Sequence, residues 1–109
     1  MTSLQLPNYL KANRMRLALS QDEVAFLLGA QSGTKACRYE RFARVPSLET
    51  ALAYEAIFKT PVSELFGGLY QKVEREVAER AKILAERSDY GTSGAQTGRK
   101  RQALAELAA

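Results

Sequence analysis

Apolar residues recur along this chain at the three-to-four-residue period of a helix. No stretch keeps the two-residue alternation of a strand, and β-branched residues are sparse. Leu10, Arg14 and Leu17 fall at i, i+4 and i+7, which predicts a first helix from about Pro7 to Ala18, with Pro7 in its first turn. Val24, Ala25, Leu27 and Leu28 mark a second over Gln21 to Leu28. Ser20 and Glu23 stand at its start with the spacing of a capping box, and Gly29 follows where a left-handed residue ends a helix. Ser32 is the cap candidate for a third helix, about Gly33 to Phe42. Ala43 to Ser47 reads as a loop, because Pro46 disfavours helical backbone at Val45. Ser47 then caps a fourth helix, Leu48 to Phe58, with Leu48, Leu52 and Ala56 expected inward. Thr60 is expected to cap, and Pro61 to begin, a short fifth helix ending at Phe66.

Gly67-Gly68 reads as the clearest boundary. Beyond it Leu69 to about Asp89 predicts one long amphipathic helix, striped by Leu69, Val73, Val77, Ala81 and Leu84. Lys72–Glu76, Arg75–Glu79, Glu76–Arg80 and Lys82–Glu86 are opposite charges four apart, each adding about 0.2–0.5 kcal/mol. Tyr90 to Gly98 has the composition of a flexible linker, and Arg99 to Ala109 could form a frayed helix with Leu104 and Leu107. The organisation expected is therefore a domain over 1–66, a long helix over 67–89 and a flexible basic tail over 90–109.

Composition narrows the chemistry. With 109 residues, 46% of them hydrophobic, the chain can bury one small core. The single cysteine, Cys37, excludes an intramolecular disulfide and reads as a small, half-buried residue of the third helix. There is no histidine, so a zinc site lacks ligands and the lone thiol lacks an imidazole to activate it. Glu23, Glu40, Glu49 and Glu64 are scattered rather than paired, and Gly67-Gly68 lacks the lysine and hydroxyl of a phosphate loop. Neither an enzyme nor a cofactor is expected. The first residues show no signal-peptide pattern and no apolar run approaches membrane-spanning length, so a cytoplasmic protein without a membrane partner is expected.

The net charge of +4 is compatible with a polyanion partner, and its distribution says more than its size. Lys35, Arg38, Arg41 and Arg44 recur every three residues. On a helix that spacing drifts by about 60° per step, so the first three cover a broad face. A short helix, a glycine turn and a basic helix form a helix-turn-helix pattern, whose second helix enters the DNA major groove. Residues near the start of such a helix meet base edges, which points to Thr34, Lys35 and Arg38, and later ones meet phosphates. Arginine suits guanine because its fork matches the O6 and N7 acceptors.

Residues from about Leu10 to Phe66 resemble the phage-repressor and Cro-like helix-turn-helix family, also called the xenobiotic-response-element family. The matching features are Leu19-Ser20-Gln21, the Ala25 to Gly29 spacing, Glu40-Arg41, Pro46-Ser47-Leu48-Glu49-Thr50, and the ending Thr60-Pro61-Val62-Ser63-Glu64-Leu65-Phe66. The resemblance implies an all-α fold: a five-helix lambda-repressor-like helix-turn-helix domain, here with an added long C-terminal helix. It implies that Gln21 bonds a DNA phosphate, and that Arg14 and Glu40 form a buried pair tying the first helix to the third. The segment Ala30-Gln31-Ser32 is one residue longer than the family's usual turn. Counting back from Glu40 makes Ala36 and Tyr39 buried and Gly33, Thr34 and Arg38 the readers; the count forward from Gly29 is one residue out of step. Phe42 and Ala18 stand where the family often has glycine, and Asn13 where it has leucine.

The candidate DNA-binding residues are thus Gln21, Ser32, Gly33, Thr34, Lys35, Arg38, Arg41 and Arg44. The expected function is sequence-specific binding of double-stranded DNA as a dimeric repressor on a palindromic operator. Leu69, Val73, Val77 and Leu84 are expected to form the homodimer seam, unless the long helix folds back on its own domain. Two alternatives stay open. One is an antitoxin that autoregulates its operon and covers a toxin with the C-terminal segments. The other is a protein-interaction adaptor that has lost DNA binding, as Gly33 and the altered turn would allow.

Overall fold

The computed structural model describes residues 8–30, 32–42, 44–87 and 95–109. All regular structure among them is helical: α1 (Leu10–Arg16), α2 (Gln21–Leu28), α3 (Thr34–Glu40), α4 (Leu48–Phe58), α5 (Val62–Leu65), α6 (Gly67–Arg87) and α7 (Ala95–Ala108). No described helix is long and apolar enough to cross a membrane. The chain divides into two compact units, the first ending at Tyr70 and the second beginning at Gln71.

Local signals set most helix ends in the first unit. The α2 capping box is complete: the Glu23 N–H donates to Ser20 Oγ at 3.0 Å, and the Ser20 N–H donates to Glu23 Oε1 at 2.8 Å. Gly29 closes α2 with φ of 84°, a left-handed backbone that a side chain would strain. The Thr50 N–H donates to Ser47 Oγ at the start of α4. Helix α1 is shorter than its apolar spacing predicts, running from Leu10 to Arg16, and the expected first-turn residue Pro7 lies outside the described residues. Asn8 replaces it as the starting device, its Oδ1 accepting the Leu10 N–H at 3.1 Å. The expected cap at Thr60 does not form. Its hydroxyl donates to the Phe58 carbonyl instead, Pro61 stands before α5, and the Glu55 carboxylate accepts the Val62 N–H at 3.0 Å.

The core is built from Leu10, Val24, Tyr39, Ala51, Tyr54, Phe58, Leu65 and Phe66. Tyr54 is its hub, with the rings of Tyr39, Phe58 and Phe66 centred 6.1, 5.7 and 6.3 Å away. Each such pair adds about 0.5–1.5 kcal/mol beyond burial. The inward face of α4 is therefore Ala51, Tyr54 and Phe58, not the expected Leu48, Leu52 and Ala56, which are exposed. This helix is apolar on both sides, and the two aromatics bury more area than the leucines opposite them.

Gly67-Gly68 is not a break. It forms the first turn of α6, with the Tyr70 N–H donating to the Phe66 carbonyl at 2.8 Å. Leu69 packs against the core of the first unit and draws that turn in with it, so the division falls inside the helix rather than at residue 66. In the second unit Ala81 and Leu104 are buried. The helix expected over Arg99 to Ala109 is present as α7, which starts earlier, at Ala95 within the expected linker, and its buried Leu104 supplies packing that a short helix cannot find in local propensity. Residues 90–94 of the expected linker lie outside the described residues. Of the four expected charge pairs on α6, Lys72–Glu76 closes, at 2.9 Å, and the lysine holds the Glu76 carboxyl below the usual carboxylate range.

Candidate nucleic-acid interface

Helices α2 and α3 pack against each other, with left-handed Gly29 directly after the one and Gly33 directly before the other. The inward side of α3 carries Ala36, Tyr39 and Glu40, all buried, and Cys37 is half-buried beside them. Thr34, Lys35, Arg38 and Arg41 are exposed on the other side. The spacing explains the split. Residues 36, 39 and 40 share one face of a 3.6-residue helix, and 34, 35, 38 and 41 share the other.

Buried charge anchors the C-terminal end of α3. Arg14 donates from Nε to Glu40 Oε2 at 2.6 Å and from its second guanidinium nitrogen to Oε1 at 3.1 Å. A third Arg14 N–H donates to the Leu19 carbonyl at 2.9 Å, and Gln21 Nε2 donates to Glu40 Oε1 at 3.2 Å. The Glu40 side chain is 3% exposed, so its three donors stand where water would otherwise be needed. Its hydrogen bond to Arg14 raises the guanidinium pKa above an already high value, against the opposing effect of burial. Three elements are thereby tied at one carboxylate: α1 through Arg14, α2 through Gln21 and α3 through Glu40 itself. Asn8 adds a fourth contact, donating from Nδ2 to the Tyr39 carbonyl at 2.8 Å.

The outward side forms two shallow clefts of about 420 Å³ each. Both are lined by Ser32, Thr34 and Arg38; Gly29, Ala30 and Lys35 complete one, and Gln21, Gly33 and Arg41 are among the residues lining the other. Seven of the eight residues predicted to meet DNA therefore converge here. Arg44 is exposed and lines neither cleft. Lys35, Arg38 and Arg41 have no acidic partner within ion-pair distance among the described residues. Their positive charge is thus directed to solvent rather than spent within the fold.

Two features of the clefts escaped the sequence pattern. Asp22 lines one of them, and its Oδ1 accepts the Gly33 N–H at 2.9 Å. Its position in the first turn of α2 marks it only as a helix-start residue. Gly33 is less a surface for reading bases than a point of close approach, since a Cβ there would sit 2.6 Å from that same oxygen. Among the expected seam residues, Val73, Val77 and Leu84 are each about two-fifths exposed, and Leu69 is occupied in the core of the first unit. No cluster of three or more His, Cys, Asp or Glu able to hold a metal occurs among the described residues.

In comparison with known proteins, no family model, curated protein or solved structure gives a significant match to this chain.

Proposed function

We propose that this chain is a sequence-specific, double-stranded DNA-binding regulator of the phage-repressor and Cro-like class. Its first unit would be a five-helix lambda-repressor-like domain, with α3 as the recognition helix. The observation that carries this reading is the division of α3. One side is locked by Tyr39 and the Glu40 network, and the other presents Lys35, Arg38 and Arg41 with no acidic partner among the described residues. A rigid helix with unpaired cations suits a polyanion whose grooves admit one helix. In this reading Thr34 and Arg38 meet base edges, while Arg41, Arg44 and Gln21 meet phosphates. The chain acts as a homodimer through the exposed part of the α6 stripe, and functions as a repressor rather than an enzyme. The same stripe also favours a second reading, an antitoxin whose α6 covers a different protein.

Selection of bound fragments from random or genomic duplex DNA tests the reading and defines the operator. On that operator Arg38→Ala should cost about 1–3 kcal/mol and relax preference at one base pair per half-site. Arg41→Ala and Arg44→Ala should weaken all sequences alike and each lower the salt slope by about one. A chain that shows no salt-dependent binding to any duplex sinks the proposal.

A further inference from the structure

One carboxylate lines the cleft in front of α3, that of Asp22 on α2, and it stands beside Arg38 and Arg41 without forming an ion pair among the described residues. A negative charge there opposes phosphate binding, so its presence calls for another account. Its Oδ1 accepts the N–H of Gly33, the residue that immediately precedes α3. Gly33 has φ of −74° and ψ of 0°, a backbone open to any residue, so conformation does not demand glycine here. Space does. A Cβ at Gly33 would lie 2.6 Å from Asp22 Oδ1 and 3.3 Å from both the Asp22 nitrogen and the Gln21 carbonyl carbon. The start of α3 is therefore pressed onto the first turn of α2 and held by one side chain.

Resting on the DNA-binding reading above, we infer that Asp22 is a positioning residue that sets where Thr34 and Arg38 stand over the bases. Helix α3 is only seven residues long, about 10 Å. It is fastened to the first turn of α2 at both ends, by Glu40 with Gln21 and by Gly33 with Asp22. The Glu40 fastening is buried and belongs to the stability of the fold. The Asp22 fastening is exposed, so water replaces it at little cost to folding when it is lost. Its loss instead frees the end of α3 that carries the readers. The acceptor oxygen does this work, not the charge.

Full-length Asp22→Ala and Asp22→Asn separate the two. Asparagine keeps an acceptor oxygen and removes the charge, whereas alanine removes both. The quantities to measure are the ratio of operator to random-duplex affinity, the hydrogen-exchange rate of the Gly33 amide, and the melting temperature. Asp22→Ala should lower the affinity ratio about tenfold and speed Gly33 exchange, while melting as Asp22→Asn does. Asp22→Asn should keep the parent's ratio and slow exchange, and bind random DNA more tightly than the parent. Gly33→Ala should lose the ratio as Asp22→Ala does, by displacing α3 from the same contact. Equal loss of the ratio in the Asn and Ala variants would overturn the inference in favour of charge. A preserved ratio in Asp22→Ala with fast Gly33 exchange would overturn it by showing that the contact positions nothing. A parent that binds no DNA is a different failure, visible before any variant is made, and it removes the underlying reading.

Discussion

Tyr54 shows how much one side chain can decide. It is fully buried, its ring meets three other aromatic rings, and its hydroxyl has no hydrogen-bond partner among the described residues. Burial, followed by the nearby Glu40, pushes its pKa well above the ordinary tyrosine value. An unfolded tyrosine ionises near pH 10, and the folded one resists ionisation. The folded state thus holds its proton where the unfolded state has lost it. The contribution is complete below about pH 10 and is lost as pH rises from there toward the folded pKa. Tyr54→Phe should be neutral or stabilising by up to about 1 kcal/mol at pH 7, since it removes an unpaired buried hydroxyl. It should also show a shallower fall in stability above pH 10. Melts of both proteins between about pH 8 and 11 check this, and a clearly destabilised Phe variant would mean that the hydroxyl has a partner. Backbone conformation at this scale was not legible from residue type. Ala18 and Phe42 both have left-handed backbone, with φ of 58° and 63°, although neither is glycine. The third such residue, Lys59, which ends α4, carries no sequence mark of the glycine kind.

At the scale of elements, the tie between α1, α2 and α3 is the feature whose removal should be felt most. The pair is largely buried, the side chains of Arg14 and Glu40 being 13% and 3% exposed, so deleting either partner leaves a charge without its counterion. Arg14→Ala and Glu40→Ala should each destabilise by roughly 3–5 kcal/mol, read from urea or thermal unfolding. Variants that melt with the parent would show that water compensates the stranded charge. The pair was expected from the resemblance alone, with which the position of Arg14 on the face of Leu10 agrees. The orientation of α4 was not legible in the sequence. Leu48, Leu52 and Ala56 have the same helical spacing as Ala51, Tyr54 and Phe58, and period alone cannot choose between two apolar faces. The choice came from the aromatic residues that α3 and α5 bring to Tyr54.

For the whole molecule, the exposed residues of α6 carry the remaining prediction. Val73, Val77 and Leu84 stay partly open, and full burial of such side chains is worth about 1.5–3 kcal/mol each. Leu69 contributes to the core of the first unit and is removed from the seam. A homodimer through the remaining stripe would present two copies of α3 to half-sites about 34–36 Å apart. The combined variant Val77→Glu and Leu84→Glu should sediment as a monomer, keep the helical content and melt of the first unit, and lose most operator affinity. A parent that is monomeric at micromolar concentration would rule out the dimer. A dimer that persists with both glutamates would put the interface on another surface.

The sequence by itself determined the helices that carry their own start and stop signals. Ser20 with Glu23, Gly29 and Ser47 act through hydrogen bonds and dihedral preferences within a few residues, so α2 begins and ends, and α4 begins, where the pattern places them. The inward face of α3 followed from the resemblance, whose count back from Glu40 places Ala36 and Tyr39 inward, where they are buried. Only the tertiary structure decided the inward face of α4, the entry of Leu69 into the core, and the contact of Asp22 with Gly33. Each of these depends on what a distant segment offers, whether an aromatic ring, a site for a leucine or a free N–H. Such contacts are made across space between residues that a period of 3.6 does not relate.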